Sequence, residues 1–164
     1  MPDILNALRR PRTRTGAEEV EFARILVPVN GGEVDSGAIE LACNLAGCKG
    51  KKTIIAINVI PVERCLPLDA EIEAAIGCAE GIMSTVEKQI EKRGHLALTD
   101  ILQARDAGPA IVQASREHCA DLILISLAYK GQFGEFCLGK LVHYILKNAP
   151  CRVILNYEAR CEQA

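Results

Sequence analysis

Asp121-Leu122-Ile123-Leu124-Ile125-Ser126 is a short apolar run rich in β-branched residues, and it opens a stretch that closes on Arg152-Val153-Ile154-Leu155-Asn156. Between the runs lie a loop punctuated by Gly131, Gly134 and Gly139, an amphipathic segment from Leu138 to Asn148, and Pro150 as a break. Strand, glycine loop, helix and strand in that order form one unit of a parallel sheet, in which ligands sit at the carboxyl ends of strands. Ser126 to Leu141 is therefore where binding chemistry is expected.

Upstream, the same alternation repeats. Arg24 to Val29 is an apolar run ended by Asn30-Gly31-Gly32, as expected of a strand buried on both faces. Asp35 or Ser36 is expected to cap a helix with Ala38, Leu41, Ala42 and Leu45 inward, and Gly47 to close it. Thr53 to Ile60 predicts a second buried strand, stopped by Pro61. From Asp69 to Arg93 the stripe Ile72, Ile76, Ala79, Met83, Val86 and Ile90 predicts one long helix ended by Gly94, with Met83 as core filler. Thr99 to Ala104 alternates more than the other strands and predicts an edge strand. Asp106 and Pro109 then open a helix carrying Ile111, Ala114 and Ser115 inward. Five strands alternating with four helices, joined by right-handed crossovers, predict an α/β fold: a doubly wound parallel five-stranded sheet with helices on both faces.

A chain of 164 residues is long enough for one domain with a proper core. Residues 1–22 hold Arg9, Arg10, Arg12 and Arg14 around Pro11, then Glu18, Glu19 and Glu21, and read as an arm; residues 23–157 form the domain and 158–164 a carboxyl-terminal tail. Net charge of -2 and a pI near 6.0 argue against a general nucleic-acid binder, which needs clustered cations. No apolar run approaches the roughly 18 residues of a membrane span, and the start lacks a signal-peptide core, so a cytoplasmic protein is expected. Eight cysteines without a C-x-x-C pair, in a chain that is 49% hydrophobic, are expected to be reduced and mostly buried.

Ile25-Leu26-Val27-Pro28-Val29-Asn30-Gly31-Gly32-Glu33, Asn58-Val59-Ile60, Ala120-Asp121-Leu122-Ile123, and above all Leu138-Gly139-Lys140 running into Ile145-Leu146-Lys147-Asn148-Ala149-Pro150-Cys151 resemble a universal stress protein domain over residues 23–157. The resemblance implies strand order 3-2-1-4-5, a role in stress adaptation, a homodimer paired through the last strand, and in some members ATP binding. It places a nucleotide, ATP or AMP, against Pro28, Val29, Asn30, Val59, Ser126, Tyr129, Gly131, Gly134, Gly139, Lys140 and Leu141, with no metal beyond a magnesium carried by the nucleotide. ATP-binding members carry a G-x2-G-x9-G-[S/T] loop, whose glycines let backbone amides approach phosphates. Aligned on Gly139, this chain has Ser126 and Tyr129 at the first two glycines and Lys140 at the hydroxyl residue, while Gly131-x2-Gly134 offers the first half of the motif at a shorter spacing. Asn30 stands where the family has an aspartate on the ribose side.

Lys140 opposes the helix dipole, so an anion beside it is expected: a phosphate, the carboxylate of Glu135, or water in place of either. Tyr129 blocks the pocket or stacks on a base. His95, His118 and His143 fall at two helix ends and in a helix body, none at the carboxyl end of a strand, so no catalytic role is expected. The alternative to a nucleotide site is a dimeric interaction module. It would pair through Arg152 to Asn156, whose three apolar residues would otherwise form an open edge, and could associate with a membrane transporter through the basic arm.

Overall fold

The computed structural model describes residues 21–68, 72–128 and 139–158. The elements are β1 (Arg24–Pro28), α1 (Asp35–Ala46), β2 (Thr53–Pro61), α2 (Glu73–Lys92), β3 (Leu96–Ala104), α3 (Ala107–Glu117), β4 (Leu122–Ala128), α4 (Lys140–Asn148) and β5 (Arg152–Glu158). The five strands form one sheet in the order β3-β2-β1-β4-β5, every neighbouring pair parallel, as expected. Tyr129, Gly131, Gly134 and Glu135 lie outside the described residues, as do the arginines of the amino-terminal arm.

The strands are apolar on both faces because both faces are covered. Along β1, Ile25 and Val27 point into a core shared with α1 and α2, whereas Leu26 points into a core shared with α3 and α4. Phe22, placed with the arm by sequence, is buried in the first of these cores. On α2 four residues of the expected stripe, Ala79, Met83, Val86 and Ile90, are buried, whereas Ile76 is half-buried and Ile72 precedes the helix as its N-cap. The inward face of α1 is turned from the expected one. Ala38, Ile39, Ala42, Cys43 and Ala46 are buried while Leu41 and Leu45 are only half-buried, because the helix lies on the side shared with α2. β3 begins at Leu96, three residues ahead of the expected Thr99, since the amide of Leu96 already donates to Lys52 O at 2.8 Å.

The cysteines correct one expectation. Of the six described, all are free, but Cys48, Cys65, Cys78 and Cys119 are exposed and only Cys43 is buried. They lie in loops or on outward helix faces, where apolar character does not bring burial. Desolvation raises the Cys43 thiol above its ordinary value, against a lowering by Arg93, and likewise raises Cys151, with a further push from Asp121. No described helix is long and apolar enough to cross a membrane.

Two contacts fix the frame around the strand ends. Asp121 bridges the amino ends of β1 and β4: its carboxylate accepts the amides of Ala23 at 2.7 Å and Arg24 at 3.2 Å, and its own amide donates to Arg24 O at 3.0 Å. On the α3–α4 layer, Gly108 lies against the ring of Tyr144, and a Cβ there would sit 2.9 Å from Cδ1 and 3.0 Å from Cγ. Those atoms are near the root of the ring and cannot swing away. Gly108→Ala is therefore expected to destabilise the fold by about 1–3 kcal/mol, after alanine's better helix propensity has returned at most about 1 kcal/mol. Denaturant melts should show a lower midpoint at unchanged slope, with partial recovery when Tyr144→Ala is added; a neutral Gly108→Ala would remove this account of the layer.

Candidate functional site

Parallel strands whose connections leave to opposite faces create a crevice at their carboxyl ends. In this sheet that happens between β1 and β4. Their ladder runs over Ile25↔Leu122 and Leu26↔Ile123, after which β1 feeds α1 on one face, while α4 lies on the other face. Counting on from Leu26↔Ile123 brings Val29 level with Ser126, so these two predicted site residues do stand on either side of the opening.

The β1 wall is rigid and inwardly satisfied. Val29 is buried; its amide donates to Ile57 O at 2.9 Å, and its carbonyl accepts from Asn58 Nδ2 at 2.9 Å. Asn30 is exposed, but its side-chain oxygen accepts the amide of Gly32 at 2.9 Å and so closes the turn. Asp35 was expected as a helix cap. Instead it is the first residue of α1, with no side-chain capping bond, because Oδ2 accepts the amides of Asn30 at 2.8 Å and Gly31 at 2.7 Å. Three successive amides, 30 to 32, thus already hold a partner. Gly31 takes φ +83° beside Ile82 of α2, a conformation that side-chain-bearing residues rarely adopt.

On the other side, Ser126 Oγ accepts from Asn156 Nδ2 at 3.1 Å, tying the end of β4 to β5. Gly139 stands in an extended conformation at the N-cap of α4 and offers no side-chain cap, and the first turn contains no acidic residue. Lys140 is exposed, and among the described residues it forms no ion pair. The internal pair with Glu135 concerns a residue outside the described ones. Pro28, Val59 and Leu141 are half-buried, and Val59 and Leu141 pack against the core shared with α3 and α4. The β2–α2 connection is held by Arg105, whose guanidinium donates to the carbonyls of Val62 at 3.2 Å, Glu63, and Leu66 at 2.6 Å.

Sequence reasoning missed Asp35 and Asn58 as builders of the wall. Asn58 had a signal: it is the polar residue in an otherwise apolar strand, and a buried amide needs a partner. The histidines lie elsewhere: His118 meets Asp100 at 3.3 Å at the far edge of the sheet, and His143 faces outward from α4. Among the described residues no group of three His, Cys, Asp or Glu is placed to hold a metal.

A family model described as the Universal stress protein family matches residues 21–155. The chain is 27% identical over 140 residues to Universal stress protein MJ0531 of Methanocaldococcus jannaschii, covering 82% of this chain and 81% of that one. Among solved structures it is similar to the hypothetical protein MJ0577, with TM-score 0.70 and 19% identity over 86% of this chain and 99% of that one. It is also similar to the universal stress protein of Archaeoglobus fulgidus in complex with dAMP, with TM-score 0.62 and 19% identity over 80% and 95% of the two chains. At that identity the structural likeness speaks for the fold.

Removing the carboxylate that gathers the β1 loop should expose its amides. Asp35→Ala is expected to speed hydrogen exchange at Asn30 and Gly31 and to cost about 1–3 kcal/mol of stability. Unchanged exchange at both amides would show that the loop is held by something else.

Proposed function

The chain belongs to the universal stress protein family, and from that premise we propose that it is a regulatory domain binding an adenine nucleotide in the β1–β4 crevice, without catalysis. The base and sugar lie against the rigid wall of Pro28, Val29, Asn30 and Val59, and the phosphates reach Gly139, Lys140 and Leu141. The observation that carries this assignment is the contrast between the two rims. The amides of the β1 loop are already committed to Asp35 and Asn30, whereas the first turn of α4 holds no acid and its Lys140 forms no ion pair among the described residues. The positive end of a helix dipole and an ammonium group on one rim favour an anion there. The dAMP complex of the Archaeoglobus fulgidus relative supports the choice of ligand class. A magnesium would travel with the phosphates. Catalysis is left out because Ser126 Oγ is engaged by an amide, Asn156 Nδ2, and not by a base.

Calorimetric titration of the full chain with ATP, AMP and cyclic AMP checks this. Binding is expected, and Lys140→Ala should weaken ATP roughly ten- to a hundredfold, as loss of a charge-assisted bond worth roughly 1.5–3 kcal/mol implies. No heat from any of the three, with the chain folded by circular dichroism, would leave the site without a nucleotide role.

A second reading concerns β5, an edge strand whose Ile154 leans on one core and whose Val153 and Leu155 lean on the other, all three only half-buried. We propose that a second copy pairs with it antiparallel, since an apolar edge left open invites uncontrolled pairing. Sedimentation should give a mass near twice 17.8 kDa; a monomer throughout the micromolar range would reject the pairing.

A further inference from the structure

Outside the crevice, the most unusual surface is the outer side of α4. Val142 and Ile145 are buried, which turns Lys140, His143, Tyr144 and Lys147 outward together at helical spacing. With Asn148 they line a groove of about 590 Å³. None of these five residues carries a carboxylate, and α4 as a whole, KLVHYILKN, contains no acid. Neither lysine has an ion-pair partner among the described residues. A third cation lies near the lower end, where Arg116 Nη2 donates to Asn148 O at 3.4 Å. An exposed helix face ordinarily intersperses charges of both signs. This one collects a single sign along a shallow, largely open depression.

The track begins at the residue that forms the crevice rim. Lys140 is the first residue of α4, and Lys147 follows about 10 Å further along the axis at 1.5 Å per residue. Tyr144 between them is held in place by its contact with Gly108, and Asn148 Nδ2 donates to Tyr144 O at 2.8 Å, so the floor is fixed.

We propose that this face is a phosphate-chain subsite: it holds the phosphates beyond the first and makes the domain select adenine nucleotides by phosphate number. The inference rests on the nucleotide assignment above for the base, but the track itself needs only linked phosphates. Lys140 takes the inner phosphates at the helix start, while His143 and Lys147 meet the charge that follows. A monophosphate ends at the rim and gains nothing from Lys147.

The test is calorimetry on the full chain with AMP, ADP, ATP and inorganic tripolyphosphate, for the wild type and for Lys147→Gln, with folding checked by circular dichroism. Affinity is expected to rise about tenfold from AMP to ATP, and tripolyphosphate should bind by itself. Lys147→Gln should abolish most of the ATP advantage and weaken tripolyphosphate about fivefold while leaving AMP unchanged. Equal affinity for AMP and ATP, or an ATP-to-AMP ratio that Lys147→Gln does not alter, overturns the subsite. Tripolyphosphate binding that depends on Lys147, with adenine nucleotides binding no better, would retain the subsite and reject the crevice. AMP binding with no response to tripolyphosphate would do the reverse.

Discussion

The structure depends on how β1 meets β4. The two strands share a ladder only near their amino ends, and Asp121 supports that end from the side by taking the amides of Ala23 and Arg24. A carboxylate accepting backbone amides makes charge-assisted bonds roughly twice as strong as neutral ones. Beyond it β1 leads to α1 on one face, while α4 lies on the other, each held by its own buried core. The opening is therefore a product of topology and needs no special residue to create it. Side chains decide only what the opening prefers.

That preference comes from a division between its rims. On the β1 rim, negative and amide groups of the chain itself satisfy the backbone: Asp35 gathers two amides and Asn30 a third. Such a rim presents shape and apolar contact, with little to offer a charge. The α4 rim has the opposite character, because Gly139 supplies no side-chain cap and Lys140 adds a full positive charge to a helix end that already carries a partial one. A lysine in this place costs an isolated helix about 0.3–1 kcal/mol, which a negative group beside it would offset.

The sheet order and most of the helices could be read from the chain because burial on both faces leaves a plain mark: continuous runs such as Ile54 to Ile57 and a stripe such as Ala79, Met83, Val86 and Ile90. What could not be read had partners remote from its local pattern. Asp35 has the composition of a cap, and only the return of the β1 end above it turns its carboxylate toward Asn30 and Gly31. The inward face of α1 was assigned to Leu41 and Leu45 beside Ala38 and Ala42, since leucine outweighs cysteine in any apolar count, yet Ile39 and Cys43 are buried and the two leucines pack only at the margin of that core. Cysteine misled for the same reason, as its apolar nature does not say which face of a helix it occupies. Val29, Ser126, Gly139 and Lys140 follow from the strand and helix pattern, which sets the ends of β1 and β4 and the start of α4, while Tyr129, Gly131 and Gly134 fall outside the described residues.

The contact between Gly108 and Tyr144 joins the start of α3 to α4. With no room between that backbone and the aromatic ring for even a methyl group, α3 and α4 meet closely where Gly108 faces Tyr144. The far end of α4 runs through Pro150 directly into β5, the outermost strand of the sheet. One densely packed helix therefore joins Lys140 at its start to the edge strand at its end.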